Sequence, residues 1–110
     1  MSYLGLDLGA TNVKGALVDD EGRVVAHAAA PLGDGAATLA PEAVADALAS
    51  VAERCVRDWA AVRAVGVGAP GAIEGDAITG CANLFRDSKF PVPLAALVAA
   101  RLRGKRVILV

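Results

Sequence analysis

Residues 2–18 read SYLGLDLGATNVKGALV, and their alternation decides the fold. Leu4, Leu6 and Leu8 fall on one side of an extended chain and Tyr3, Gly5 and Asp7 on the other, so residues 2–8 predict a strand with one apolar face. Residues 12–18 (NVKGALV) predict a second strand, and the link GAT is short enough for a hairpin. DDEGR (19–23) is another turn, where Gly22 can take a positive φ. RVVAHAAA (23–30) predicts a third strand, so the chain opens as a three-stranded antiparallel meander.

Outward from the meander, residues 31–40 predict a loop with Pro31, Gly33 and Gly35. Pro41 suits the first turn of a helix. Val44, Ala47, Leu48, Val51, Cys55 and Trp59 then recur at i+3/i+4 spacing, which predicts an amphipathic helix of about four to five turns reaching Trp59. RAVGVGA (63–69) predicts a buried parallel strand. AIEGDAIT (72–79) predicts a hairpin around Gly75-Asp76, and NLFRDSKFPVP (83–93) is irregular. Pro93 opens a second helix with Leu94, Leu97, Val98 and Leu102 on one face, and KRVILV (105–110) is a last strand. The order βββ-α-β-hairpin-α-β predicts an α/β domain with a mixed sheet. Its final strand carries four apolar residues with no turn or cap, which leaves a bare edge and uncovered apolar surface. The expectation is the front part of a longer protein.

The 110 residues suffice for one small domain. A content of 55% hydrophobic and 21% charged residues excludes a disordered tail. Aromatics are only 4%, so the core must be built from small side chains around Trp59. The net charge of −1 gives no electrostatic case for nucleic acid or an anionic membrane. Arg101, Arg103, Lys105 and Arg106 cluster at the end of the second helix, where cations suit the macrodipole. Cys55 and Cys81 form no CxxC pair, and Cys55 falls on an apolar helix face, which predicts a buried free thiol. The start MSYLGLDLG has neither a basic region nor a long apolar run, so a cytoplasmic chain without signal peptide is expected. The lone His27 lies in a predicted strand and reads as a surface or partner-bonded side chain, not a metal ligand.

Two stretches carry chemistry. GVGAPG (66–71) has the G-x-G-x-x-G spacing of a dinucleotide-binding turn, but that turn needs a helix immediately after the strand. Pro70–Gly80 contains Gly71, Gly75 and Gly80 and no helical period, so the spacing is accidental. In LDLGATNVK (6–14), Asp7 interrupts an apolar strand. It either caps the turn or faces a ligand. On the second reading, Gly9 and Ala10 let an anion approach the backbone amides, while Thr11, Asn12 and Lys14 add donors. Asp7 beside that nest would hold Mg²⁺ through water.

Asp-Leu-Gly-Ala-Thr-Asn in a first hairpin, then Val-Gly-Val-Gly-Ala-Pro-Gly, then Ala-Asn-Leu, resembles the ROK family of repressors, open reading frames and sugar kinases. The likeness is strongest to its glucokinase-like members and extends over the N-terminal third of a typical one. Ala10 stands where the family usually has a second glycine. The resemblance implies a ribonuclease-H-like, actin-type ATPase fold. It places Asp7, Gly9, Ala10, Thr11 and Asn12 at ATP phosphates and Mg²⁺, Gly71 and Ala72 beside the sugar through their backbone, and Asn83 on sugar hydroxyls. The family often has a Trp soon after Asn-Leu, where this chain reads FRDSKF; Arg86 and Asp87 read as a solvated loop pair. The family's catalytic Asp belongs to an Asn-Asp pair after the strand that VILV resembles, so no catalytic residue is assigned within residues 1–110 and the chain alone is expected to be inactive. The parent expected is an ATP-dependent hexose or amino-hexose kinase. The alternatives are a fragment of a sugar-responsive ROK regulator and a non-catalytic interaction domain, for which a homo-oligomer through the bare strand is one form.

Overall fold

A computed structural model describes residues 1–110. Strands β1 (Ser2–Leu8), β2 (Asn12–Asp19) and β3 (Val24–Pro31) form the expected meander. Helix α1 (Pro41–Cys55) follows, then β4 (Val62–Gly68), a hairpin of β5 (Ala72–Glu74) and β6 (Ala77–Gly80), helix α2 (Leu94–Arg101) and β7 (Val107–Leu109). The main sheet runs β3-β2-β1-β4-β7, antiparallel among the first three strands and parallel from β1 to β4 to β7.

Strand alternation sorts the sheet into two faces. Leu4, Leu6, Leu8, Val13, Val65, Val67, Val107 and Leu109 are buried on one of them. Val44, Leu48 and Val51 of α1 and Leu94 and Val98 of α2 join the same core, in which no polar or charged side chain is buried. Gly15 sits on this inner face because α1 comes too close for anything larger. A Cβ there would lie 2.9 Å from Val51 Cγ1 and 3.1 Å from Leu6 Cδ2. The opposite face carries Tyr3, Gly5, Asp7, Lys14, Ala16, Ala64, Gly66, Gly68 and Ile108, and no helix lies on it.

The helix does not reach Trp59, as its spacing suggests, but ends at Cys55. Val56 is extended, and Asp58 starts a separate 3-10 turn, Trp59–Ala61, by accepting the Ala60 N–H at 3.1 Å. An Asp cap outcompetes helix continuation here because its carboxylate satisfies an otherwise orphan amide. Trp59 is still buried, its Nε1 donating to Glu53 at 3.3 Å, with the Arg103 guanidinium 5.1 Å from the ring centroid. Arg103 also donates to Glu53 at 2.7 Å, and this bond first holds the Glu53 carboxyl below its usual range.

Three of the four cations of the basic cluster, Arg101, Arg103 and Lys105, are spent on contacts within the chain, while Arg106 is exposed. Arg101 donates to Asp46 and to the Leu97 carbonyl near the end of α2, and Lys105 donates to the Val62 carbonyl. Arg54 of α1 reaches the Ala29 carbonyl on β3 at 3.0 Å. His27 is exposed. The last strand is shorter than KRVILV suggests, because Lys105 and Arg106 lie before its first ladder pair, Val65 with Val107. Both cysteines are free thiols; Cys55 is buried and Cys81 half-buried. No helix is long and apolar enough to cross a membrane.

Candidate functional site

Parallel strands β1, β4 and β7 all deliver their C-terminal ends to one edge of the sheet, where open α/β sheets place their ligands. At that edge β1 turns into β2. The Gly9 N–H donates to the Asn12 carbonyl at 2.9 Å, leaving Ala10 and Thr11 as a two-residue tip. The Gly9 amide is therefore consumed by the hairpin and is not a free donor, contrary to the reading of successive open amides. The amides of Ala10 and Thr11 have no partner within the chain and remain exposed. The Asn12 amide group donates to Thr11 Oγ1 at 3.0 Å, which orients the hydroxyl.

Ala10 and Thr11 line a cleft of about 420 Å³ together with Gly33, Asp34, Gly35, Ala36, Ala37, Asn83 and Arg86. Asn83 is exposed on its wall and is not spent on capping a turn. The fold thus brings a hairpin tip and a residue seventy positions away into one concave site. Leu84 and Phe85, the next two residues, are fully buried and anchor this segment, with Phe85 at φ 61. Sequence reasoning quoted Leu84 only within the Asn-Leu motif and gave Phe85 no role, because the stretch has no period.

Asp7 lies elsewhere. It stands on the outer face, across from Gly68 on β4 and Lys14 on β2. A Cβ on Gly68 would sit 3.5 Å from Asp7 Oδ1, so glycine keeps the carboxylate's flank open. Asp7, Lys14, Gly5, Gly66, Gly68 and Val110 line a trough of about 480 Å³. Asp7 forms no ion pair with Lys14. The chain has no group of three or more His, Cys, Asp or Glu able to cage a metal. A Mg²⁺ ion at Asp7 would therefore complete its shell from water and phosphate oxygens, as Mg²⁺ commonly does.

Gly71 and Ala72 line neither depression. Gly71 has φ 86, and any side chain there would collide with the Gly80 carbonyl and Cys81. Pro70-Gly71 is therefore a tight backbone reversal into β5, and GVGAPG does not open a helix.

The sequence profile of the ROK family matches residues 3–105. No curated protein matches the chain significantly. Among solved structures it is similar to a ROK family glucokinase from Streptomyces griseus in complex with glucose and AMPPNP, at 26% identity and TM-score 0.77 over 99% of this chain and 32% of that one. It is similar to an inorganic polyphosphate/ATP-glucomannokinase from Arthrobacter sp. strain KM at 29% identity and TM-score 0.78, over 99% and 43%. A ROK hexokinase from Thermus thermophilus gives 27% and 0.77, over 100% and 35%. A ROK transcriptional regulator, homologous to Mlc of E. coli, shares the fold at 14% identity and TM-score 0.71. The chain spans between a third and under half the length of the three kinases. The meander, the parallel β1-β4-β7 core and the family profile describe one architecture, that of the actin-like ATPases, and the chain belongs to the ROK family.

Proposed function

We propose that this chain is the N-terminal lobe of an ATP-dependent hexose kinase of the glucokinase-like kind. The observation that carries the reading is the shared cleft, lined by Ala10 and Thr11, whose amides are unpartnered, and by Asn83. Free amides suit phosphate oxygens. An amide side chain with both donors and an acceptor suits adjacent sugar hydroxyls. Gly9 and Asn12 support the hairpin that presents the two amides, whereas Gly71 and Ala72, outside the cleft lining, are not needed for the sugar contact proposed at Asn83. Asp7 lines the separate trough and not this cleft; for nucleotide phosphates that reach the trough it would hold Mg²⁺ through water, and the ion would supply charge neutralisation there. This chain's own contribution is to position donor and acceptor; the base that deprotonates the sugar hydroxyl is not assigned to any of its residues, so alone it is expected to bind weakly and turn nothing over. The Streptomyces griseus glucokinase solved with glucose and AMPPNP supports both ligand classes. The Arthrobacter enzyme's name makes polyphosphate a donor to be tested beside ATP.

A sugar-responsive regulator is the second reading, favoured by the Mlc-like neighbour's shared fold. It would keep the sugar contacts and have no need of the phosphate ones. Isotope-labelled chain titrated with glucose and with Mg²⁺–AMPPNP separates the two. A kinase lobe shifts Asn83 with glucose and Ala10 and Thr11 with the nucleotide, and Thr11→Val weakens the nucleotide response. Glucose shifts without any nucleotide shifts would overturn the kinase reading in favour of the regulator.

A further inference from the structure

Arg86 is the one basic residue on the cleft lining. It does not pair with Asp87, although the two are adjacent. Arg86 lines the cleft and Asp87 does not. Its backbone is fixed from three sides. The Phe85 ring is fully buried in the core just before it. Phe85 itself holds a left-handed conformation that bulky residues rarely adopt, which is the kind of strain found where a neighbouring group must be aimed. The Arg86 N–H then donates to the Ala37 carbonyl at 3.0 Å, tying it to the 33–37 loop on the cleft wall, while Ser88 closes the turn onto the Phe85 carbonyl at 3.1 Å.

The consequence is an exposed cation with no carboxylate partner on a cleft also lined by Asn83 and by Ala10 and Thr11, whose amides are unpartnered. Asp34 is the only acid on the lining, and it makes no ion pair there. A guanidinium offers paired donors in a plane and keeps its charge throughout the physiological range, which suits a phosphate monoester. We infer that Arg86 is a specificity-determining residue that binds the phosphate of a phosphorylated sugar whose hydroxyls rest on Asn83, so that the cleft holds its product more tightly than its substrate. This rests on the reading of the cleft as a sugar site.

The test is titration of the 110-residue chain with glucose, glucose 6-phosphate and inorganic phosphate, following amide shifts and the Arg86 Nε–H resonance. Glucose 6-phosphate is expected to bind about tenfold more tightly than glucose, the scale of one charge-assisted contact at a solvated site. Arg86→Gln should erase that ratio, and Arg86→Lys should recover part of it. Asn83→Ala should weaken both sugars together. If glucose binds and glucose 6-phosphate binds no better, or Arg86→Gln leaves the ratio intact, the assignment of Arg86 fails while the sugar site stands. If inorganic phosphate moves Arg86 but neither sugar moves Asn83, the sugar reading fails and the product inference falls with it. No response to any of the three overturns both.

Discussion

The two faces of the main sheet are written by alternate residues of the same strands, yet they obey opposite rules. Leu4, Leu6 and Leu8 of β1 are buried against two helices, whereas Tyr3, Gly5 and Asp7 between them look onto a face that no helix covers. The glycines make the contrast sharpest. Gly15 on the inner face is hemmed in by Val51, Leu6 and Cys55, while Gly66 on the outer face has nothing within 4 Å of where a Cβ would stand. One glycine exists to let a helix approach. The other leaves the floor of a trough smooth beside Asp7. Burial therefore sets the identity of every second residue, and access to the strand ends sets the rest.

That contrast can be broken most forcefully at Leu6, which is 3% exposed. Leu6→Ala should lower stability by about 2–5 kcal/mol, through lost burial and the cavity left behind. Chemical denaturation measures it, and a loss below half a kilocalorie would mean that the inner face is not closely packed. Next comes the glycine pair. Gly15→Ala should cost about 1–3 kcal/mol by overpacking against α1. Gly66→Ala should be neutral or stabilise by up to about 1 kcal/mol, because alanine loses less backbone entropy in a strand. Equal effects at the two sites would erase the distinction between the faces.

The smallest effect concerns the thiols. Burial pushes the Cys55 thiol up, only partly countered by Arg54. Because its folded pKa lies above the unfolded one, its contribution is fully present below the ordinary thiol pKa and is lost as pH rises through the folded value. Stability should therefore sag slightly in alkaline buffer, and Cys55→Ser should flatten that sag. A thiol reagent under native conditions should label the half-buried Cys81 well before Cys55. Simultaneous labelling would show that the inner face opens on the reagent's timescale.

Much of this architecture was legible because periods are local. The leucine alternation in residues 4–8, the Gly75-Asp76 turn and the run from Val44 to Cys55 each report on neighbours within one turn or two. Trp59 misled for the same reason, since it sits at helical spacing although Asp58 has already begun a new turn. The cap itself was readable, as an Asp two residues before the amide it serves. The cleft was less legible. Gly9 looked like an open amide because a hairpin's closing bond depends on register, which one strand cannot reveal. Arg86 looked like half of a surface pair because its placement depends on Phe85 entering the core and on a bond to Ala37, contacts that no spacing encodes. The family resemblance supplied what periodicity lacked, by assigning Thr11 to ATP phosphates and Asn83 to sugar hydroxyls, two residues that the fold then places on one cleft lining.

The bond from Arg54 to the Ala29 carbonyl has a consequence for self-association. Leu32 N–H donates to the Thr11 carbonyl, so the alternate residues of β3, Ala29 among them, turn their backbone groups away from β2 toward the free edge. Along that edge the Ala29 carbonyl is occupied by a guanidinium, and Pro31 has no amide to offer. An incoming strand meets a blocked acceptor and a missing donor two residues apart, which is how natural sheets resist edge-to-edge aggregation. The molecule guards this flank with one arginine from a helix and one proline, so loss of Arg54 would free the Ala29 acceptor and leave Pro31 as the remaining guard.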